Sequence, residues 1–233
     1  LDAGSQSINV EIVGGGRKLI RVSDDGAGIP AAEVELALAR HATSKLRSAA
    51  DLNGIETLGF RGEALASISA VSRVQLVTRV PSEHIAMRLS AEAGKITNRA
   101  SIGAPRGTVV SVENLFFNIP ARLKFLKSDA AEKGRITRVL SRYALAYPAV
   151  RFRLHFDNRQ VFQSPGNGSL LDVLAAAYGV ETAGQLLELA RSTQDGISVH
   201  GYVSPPAVSR SNRREITFFV NGRYVQDPHL SVA

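Results

Sequence analysis

Two carboxylates and two glycines follow one another directly after an apolar segment of the chain. Residues 19–30 read LIRVSDDGAGIP, and the alternating apolar residues predict a strand that ends at Asp24 and Asp25. Gly26 and Gly28 allow positive φ angles and the close approach of a second molecule. A carboxylate held at a strand end can accept a hydrogen bond from a donor such as an exocyclic amine. The same pattern also fits an ordinary strand, an Asp-Gly turn and a following helix.

A second glycine pair lies where a helix is predicted to start. Residues 58–65 read LGFRGEAL and lead into a helix expected to run to about residue 71. Gly59 and Gly62 would leave backbone N–H groups exposed there, and the helix dipole would add positive potential, so an anion site is expected. Lys45 and Arg61 could supply full positive charges. A glycine turn with a surface lysine and arginine is the alternative.

The composition excludes several kinds of site. The 233 residues, 44% hydrophobic and 21% charged, suit one large or two small globular domains. The lack of cysteine rules out disulfides and a cysteine nucleophile, and the five scattered histidines contain no i, i+4 pair, so no metal site is predicted. No apolar run approaches the roughly 20 residues of a membrane span, and the cytoplasm is the expected location. The net charge of +7 favours a polyanionic partner or, alternatively, serves solubility.

Hydrophobic periodicity predicts the elements that would position these residues. Helices are expected over 31–40, 129–147, 170–178 and 185–191. Strands are expected over 8–12, 18–23, 74–80, 86–91, 108–112, 150–156, 159–163, 197–203 and 215–220, and Asn221-Gly222 predicts a type I′ turn. The glycine-rich residues 164–168 form the expected linker, which divides the chain into domains at 1–165 and 166–233.

Three motifs occurring together in order resemble the nucleotide site of the GHKL ATPase superfamily. They are the residues DDGAG at 24–28, GFRGEAL at 59–65 and the dipeptide Gly107-Thr108. The segments LDAG at 1–4, RHATSK at 40–45, FNIPARLKFL at 117–126 and FVNGR at 219–223 narrow the resemblance to the bacterial type of the MutL mismatch-repair family. Several motifs in the right order are more specific than any one of them.

The resemblance implies an α+β fold. The first domain would be a Bergerat-type α/β sandwich, with a mixed sheet, helices on one face and ATP between the helices and a lid. The second would be a truncated α/β domain similar to domain 2 of ribosomal protein S5.

The resemblance also implies a role for each matching residue. Asp24 would read adenine, Gly26 and Gly28 would line the base pocket, and Thr108 would lie below the base. The lid would contain Thr43, Ser44 and Lys45. Backbone N–H groups of the second motif would wrap the triphosphate, at Gly59, Phe60, Arg61, Gly62, Glu63, Ala64 and Leu65.

Two expected parts of the family's site are not in this sequence. The resemblance places a glutamate that activates water and an asparagine that holds Mg²⁺ before Leu1, and a phosphate-contacting lysine beyond Ala233. No catalytic residue is therefore assigned within the chain. A polypeptide starting at Leu1 is expected not to hydrolyse ATP, whereas the complete protein would use ATP and Mg²⁺.

The family's function would join ATP binding to DNA repair. ATP would close the lid and draw two amino-terminal regions into a homodimer that clamps DNA, in cooperation with the mismatch-recognition protein MutS. Basic residues would contact DNA phosphates without reading sequence, at Arg135, Arg138, Arg142, Arg210, Arg213 and Arg214. Two alternatives remain open from the sequence: the ATPase half of a type II topoisomerase, and a basic nucleic-acid-binding module without a nucleotide site.

Overall fold

The computed structural model describes residues 1–40, 57–59, 62–194, 196–208 and 215–230. Within them, one large sheet contains eight strands, in the spatial order β5-β4-β3-β6-β2-β1-β7-β8. The strands are β1 (Ser7–Val13), β2 (Leu19–Asp24), β3 (Arg73–Arg79), β4 (Ala86–Glu92), β5 (Lys95–Ile102), β6 (Gly107–Glu113), β7 (Arg151–Phe156) and β8 (Arg159–Gln163). β1 and β7 run parallel, and the other neighbouring strands run antiparallel. This is the mixed sheet that the resemblance implied.

Helices and two short hairpins complete the described chain. The helices are α1 (Ala64–Ser69), α2 (Pro120–Phe125), α3 (Asp129–Ala146), α4 (Leu170–Tyr178) and α5 (Val180–Ala183). One hairpin joins β9 (Leu187–Gln194) to β10 (Ile197–Val203), and the other joins β11 (Phe218–Val220) to β12 (Arg223–Val225). Asn221 and Gly222 between the last two strands both have positive φ, as a type I′ turn requires.

The register between strands places the buried cores on one face of the sheet. A row of directly opposed residues crosses five strands through Val10, Val22, Val110, Leu76 and Leu89. Directly opposed residues share a face. At one end of the row, Val10 packs in a cluster with α3 and α4, and at the other end Leu76 and Leu89 pack under the segment that follows β2. We call this side of the sheet the inner face.

The longest helix forms where its capping signals predict it. The Ser128 side chain accepts a hydrogen bond from the backbone N–H of Ala131, and Asp129 and Glu132 place negative charge in the first turn of α3. Leu140 and Ala144 then bury one side of this helix against the inner face. The position of α3 therefore follows from its own cap and its apolar stripe.

The helix predicted over 31–40 is wrong. The structure has turns there and a short 3₁₀ helix at Leu36–Leu38. The backbone N–H of Ala31 donates to the Glu83 side chain, and the Ala31 carbonyl accepts from Arg99. The segment closes i→i+3 backbone bonds, such as that from the Leu36 N–H to the Glu33 carbonyl, in place of the i→i+4 bonds of an α-helix.

The helix predicted over 185–191 is also wrong, since β9 begins at Leu187 and pairs with β10. Leu187 and Leu189 stand two residues apart, a spacing that suits a strand. Gly196, with φ of 77°, lies in the turn that closes the hairpin. The segment forms a strand because it pairs with β10, and this pairing with a later segment cannot be predicted from the local sequence.

Candidate functional site

Asp24, Thr108 and Thr78 form a second row on the inner face. Asp24 is the direct partner of Thr108, and Thr108 is the direct partner of Thr78 on its other side. On each strand this row lies two residues from the apolar row that contains Val22, which we call the valine row. Its side chains therefore point to the same face as Val22. Three adjacent central strands thus bring one carboxylate and two hydroxyls together at one end of these strands.

The carboxylate of Asp24 has a fixed orientation. Its Oδ1 atom accepts hydrogen bonds from the Ser5 hydroxyl at 3.2 Å and from the Gly26 backbone N–H at 2.9 Å. Within the described residues no donor is bonded to Oδ2, and the side chain is only partly buried. One oxygen therefore holds the group in place, while the other can accept a hydrogen bond from a ligand.

The neighbouring Asp25 has a structural role instead. Its Oδ1 atom accepts the backbone N–H groups of Gln6 at 2.8 Å and Ser7 at 3.0 Å. These bonds fasten the end of β2 to the start of β1, and so fix the strand end on which Asp24 stands. The two adjacent carboxylates, which have the same chemistry, differ in function because alternate residues of a strand face opposite sides.

Thr78 was not predicted as a site residue, and it is the most deeply buried member of the row. It is 1% exposed, and its hydroxyl accepts the Ile29 backbone N–H at 2.8 Å. The same oxygen lies 3.2 Å from the Gly107 carbonyl, to which it donates, and 3.1 Å from the hydroxyl of Thr108. When Thr78 donates to the carbonyl, Thr108 must donate to Thr78, which leaves the Thr108 oxygen able to accept from a ligand. The register across the sheet was the only signal for Thr78.

Next to this row, an apolar residue of the inner face is left exposed between the two hydrophobic clusters. Val22 stands on a central strand of the sheet, yet it is 36% exposed. Its direct partners in that row are Val10, which is buried in one cluster, and Val110, which is partly buried against the other. The inner face is therefore least covered at Val22, which offers an apolar floor two residues before Asp24 on the same strand. A flat aromatic ring fits such a floor.

The glycines around Asp24 let the protein's own backbone pack closely. A Cβ atom on Gly26 would lie 2.7 Å from the Ser5 hydroxyl, and one on Gly28 would clash with the backbone of Arg79. Gly28 also has φ of 75°, which side chains other than glycine rarely adopt. The lining of a base pocket by Gly26 and Gly28 stays a prediction. The close packing around Asp24 is a second reason why glycine is required at both positions.

The second glycine motif leads into α1, as expected. Gly62 has φ of 61°, and α1 begins two residues later at Ala64, followed by Leu65. Glu63 occupies the N-cap position without capping the helix through its side chain. The backbone N–H groups of the first helical turn have no partner inside the helix, so the predicted use of this turn for phosphate remains open to test.

One amide of the motif already has a partner. The carboxylate of Asp2 accepts the backbone N–H of Leu58 at 3.0 Å and that of Gly59 at 3.1 Å. The amides of Gly62, Ala64 and Leu65 follow at the start of α1, where the resemblance expects a phosphate. Five further predicted residues lie outside the described part of the chain: Thr43, Ser44, Lys45, Phe60 and Arg61.

The predicted DNA-contacting arginines differ in their surroundings. Arg135 pairs with Glu132 at 3.1 Å, and Arg138 is exposed on α3. The guanidinium of Arg142 lies 4.0 Å from the centroid of the Tyr224 ring, so this side chain fastens the β11–β12 hairpin to α3. Three more of these arginines fall outside the described residues: Arg210, Arg213 and Arg214. DNA contact stays a prediction for all six.

A separate open cleft of about 510 Å³ lies at the opposite end of the sheet from Asp24. Arg17 and Lys18 line it together with Asp129, which pairs with Arg17, and with Asp157. A hydrogen bond from Lys133 and another from the Gly14 backbone lower the pKa of Asp157. Because its charges are mostly paired and it does not reach the Asp24 row, we assign the chemistry to the row and not to this cleft.

Two kinds of site find no support in the described residues. No group of three or more histidine, aspartate or glutamate side chains there could hold a metal ion. None of the helices in the same residues is both long and apolar enough to cross a membrane.

Two protein-family profiles match this chain. The profile described as "Histidine kinase-, DNA gyrase B-, and HSP90-like ATPase" matches residues 1–116, and that described as "DNA mismatch repair protein, C-terminal domain" matches residues 174–233. One match lies in each predicted domain, although the boundary between the domains stays a prediction.

Curated relatives carry the name DNA mismatch repair protein MutL. The chain is 46% identical over 233 residues to that of Desulforudis audaxviator, and 49% identical over 226 residues to that of Symbiobacterium thermophilum. It covers 41% and 35% of these relatives, while they cover 100% and 97% of it. The chain thus spans less than half the length of these curated relatives.

Solved structures share the fold. The ATPase domain of Aquifex aeolicus MutL, complexed with ADP, superposes with a TM-score of 0.77 at 30% identity, covering 99% of this chain and 79% of that one. The N-terminal domain of a DNA repair protein gives a TM-score of 0.78 at 25% identity, covering 97% and 71%. The predicted fold class, a GHKL-type α/β sandwich, is therefore confirmed.

Proposed function

The chain belongs to the MutL family of DNA mismatch repair proteins, and on that basis we propose that it binds ATP at the Asp24 row and couples this binding to DNA repair. The observation that carries the proposal is the alignment of Asp24 with Thr108 beside the uncovered floor at Val22. The similar Aquifex aeolicus domain was solved with ADP. These features favour a nucleotide over the other polyanions that a basic chain could bind.

The row suits adenine among the bases. The Oδ2 of Asp24 can accept a hydrogen bond from an exocyclic amine, which adenine carries at its six-position. A guanine placed in the same orientation would present its six-position carbonyl oxygen to the carboxylate, and the two oxygens would repel, so guanine could bind only by turning its own amine towards Asp24. Thr108 adds a hydroxyl that adapts as donor or acceptor, and Val22 contacts the face of the ring.

Phosphate binding would follow from the second glycine motif. The amides from Gly62 to Leu65 lie where α1 begins, and Phe60, Arg61 and the lid residues would complete the enclosure. No residue of this chain is assigned to Mg²⁺, because the family's metal-holding asparagine is expected before Leu1; phosphates and water would supply further ligands, as is usual for this ion in nucleotide sites. The ion would neutralise phosphate charge.

We further propose that nucleotide binding draws two copies together around DNA and that MutS is a partner, in the cytoplasm. The net charge of +7 supports contact with a polyanion. Among the predicted arginines that the structure describes, the exposed Arg138 is the best placed for it, since its side chain has no ion pair within the described residues. The relatives named above favour this assignment over the topoisomerase alternative.

The test compares two adjacent carboxylates in the full-length protein. Asp24→Asn replaces one carboxylate oxygen by an amino group, which cannot accept a hydrogen bond from the amine of adenine. This variant should bind a fluorescent ATP analogue at least about tenfold more weakly. Asp25→Asn makes the same chemical change on the other face, where the amide oxygen can still accept from Gln6, and should keep affinity within about threefold. Equal, measurable binding by both variants and the wild type would refute Asp24 as the nucleotide contact, and no binding by any of the three would favour a nucleic-acid module without a nucleotide site.

A further inference from the structure

The segment that enters the second glycine motif is held from two sides. From one side, Asp2 accepts the backbone N–H groups of Leu58 and Gly59. From the other, a guanidinium nitrogen of Arg223 donates to the Thr57 carbonyl at 2.6 Å. Arg223 lies 166 residues further along the chain, at the start of β12. The position of residues 57–59 therefore depends on a hairpin remote in sequence.

This hairpin is itself fixed against α3. A Cβ atom on Gly222 would lie 2.8 Å from the Tyr147 hydroxyl, so the turn packs directly against that ring. Tyr224 packs edge-on against Phe219, with centroids 6.2 Å apart, and Arg142 covers its ring. The β11–β12 hairpin thus carries Arg223 on a rigid base and not on a free loop.

The charges around Tyr147 agree with this arrangement. Burial raises the pKa of Tyr147, the negative charge of Asp2 raises it further, and the positive charge of Arg223 opposes these effects. Asp2 and Arg223 thus both act on one hydroxyl group at the end of α3, so the two groups that hold residues 57–59 both lie near that helix end.

We propose that Arg223 is a positioning residue for nucleotide binding, which fixes residues 57–59 so that the following amides face the phosphates. This inference rests on the proposed function. Arg223 acts through the Thr57 carbonyl, and Asp2 acts through the amides of Leu58 and Gly59. Neither residue is assigned a contact with the nucleotide. The hairpin is thereby a physical link between the carboxy-terminal part of the chain and the nucleotide site.

The experiment uses the full-length protein and two measurements. Hydrogen–deuterium exchange of the Leu58 and Gly59 amides, without nucleotide, reports whether the segment is held. Titration with fluorescent ATP and ADP analogues reports affinity. Arg223→Ala should speed exchange and weaken both nucleotides by about tenfold, the size expected for a charge-assisted hydrogen bond. Arg223→Lys should recover part of the affinity, because an ammonium can still donate to the carbonyl.

Two controls make the outcome decisive. Arg159→Ala removes the same charge from an exposed position on β8 and should leave exchange and affinity within about twofold. Asp2→Asn should speed exchange without altering the hairpin. Faster exchange with unchanged affinity in Arg223→Ala, an equal loss of affinity in Arg159→Ala, or no recovery in Arg223→Lys would overturn the inference. A wild-type protein that binds no nucleotide would instead overturn the proposed function first, because its affinity is measured separately.

Discussion

The hydroxyl groups of Thr78 and Thr108 lie 3.1 Å apart, on directly opposed residues of β3 and β6. Thr78 also accepts the backbone N–H of Ile29, so this one oxygen joins the segment after β2 to the strand that carries Thr108. The Thr78 side chain, which is 1% exposed, thereby connects the segment after β2 with β6 beneath the proposed adenine pocket. The arrangement makes Thr78 a supporting residue whose loss should be felt at the site.

We expect Thr78→Val to lower the free energy of unfolding by about 1–3 kcal/mol, because the Ile29 N–H loses its partner in a buried place. Nucleotide affinity should fall as well, since the Thr108 hydroxyl becomes free to rotate. Urea unfolding and titration with a fluorescent ATP analogue measure the two effects. Thr97→Val on the exposed strand β5 is the matched control and should alter neither quantity appreciably. Wild-type stability in Thr78→Val would argue against the linking role.

The site could be predicted from the sequence only where its signals are local. Asp24 ends a strand with clear alternation and was found from its own neighbourhood, whereas Thr108 was assigned only through the resemblance of its motif to the family. Thr78 looked like any threonine in a strand, because its role arises only when β3 pairs with β6. The Asp2 and Arg223 contacts are likewise set by the fold, since each joins distant segments.

The secondary structure, like the site, could be predicted from the sequence only where local signals determine it. Strands with one buried face were located within about two residues, whereas β5 was missed because its exposed edge position leaves mostly polar residues on both faces. Of the two wrong helices, the segment 31–40 closes i→i+3 bonds and accepts a bond from an arginine of β5, and the segment 185–191 enters a strand that pairs with β10. Local periodicity reports burial, but it does not report which partner a backbone group will find.

A second prediction concerns the close contact between Gly107 and Asp24. A Cβ atom on Gly107 would clash with the Asp24 backbone carbonyl, and its φ of 103° is unfavourable for other residues. Gly107→Ala should therefore destabilise the protein by more than about 2 kcal/mol and displace Asp24, with loss of nucleotide binding. Gly103→Ala, at a position with nothing within 4 Å, should unfold like the wild type. Similar thermal unfolding of the two variants would contradict the argument.

A third prediction separates two arginines of α3. Arg138→Ala should weaken DNA binding and reduce the slope of log K against log salt by about one, as expected for one lost phosphate contact. Arg142→Ala should instead loosen the Tyr224 hairpin and weaken nucleotide binding through Arg223. Fluorescence anisotropy with labelled duplex DNA between low and physiological salt tests the first part. An unchanged slope in Arg138→Ala would remove it from the proposed DNA surface.

The last prediction concerns alkaline pH and Tyr178. Burial raises the pKa of Tyr178, and the nearby negative charge of Glu215 adds to this effect, while Arg142 opposes it. The folded protein therefore holds the phenol proton more tightly than the unfolded chain. The resulting stabilisation is fully present below the unfolded value of 10.0 and is lost as pH rises through the higher folded pKa.

The free energy of unfolding should accordingly fall above about pH 10, and it should fall less steeply in Tyr178→Phe, which has no phenol proton to lose. Urea unfolding at about pH 9, 10 and 11 measures the slopes. Tyr202→Phe, on β10, removes an equivalent hydroxyl elsewhere and should keep the wild-type slope. Equal slopes in the wild type and Tyr178→Phe would show that the alkaline loss arises from other groups, because the buried phenol would then contribute nothing to it.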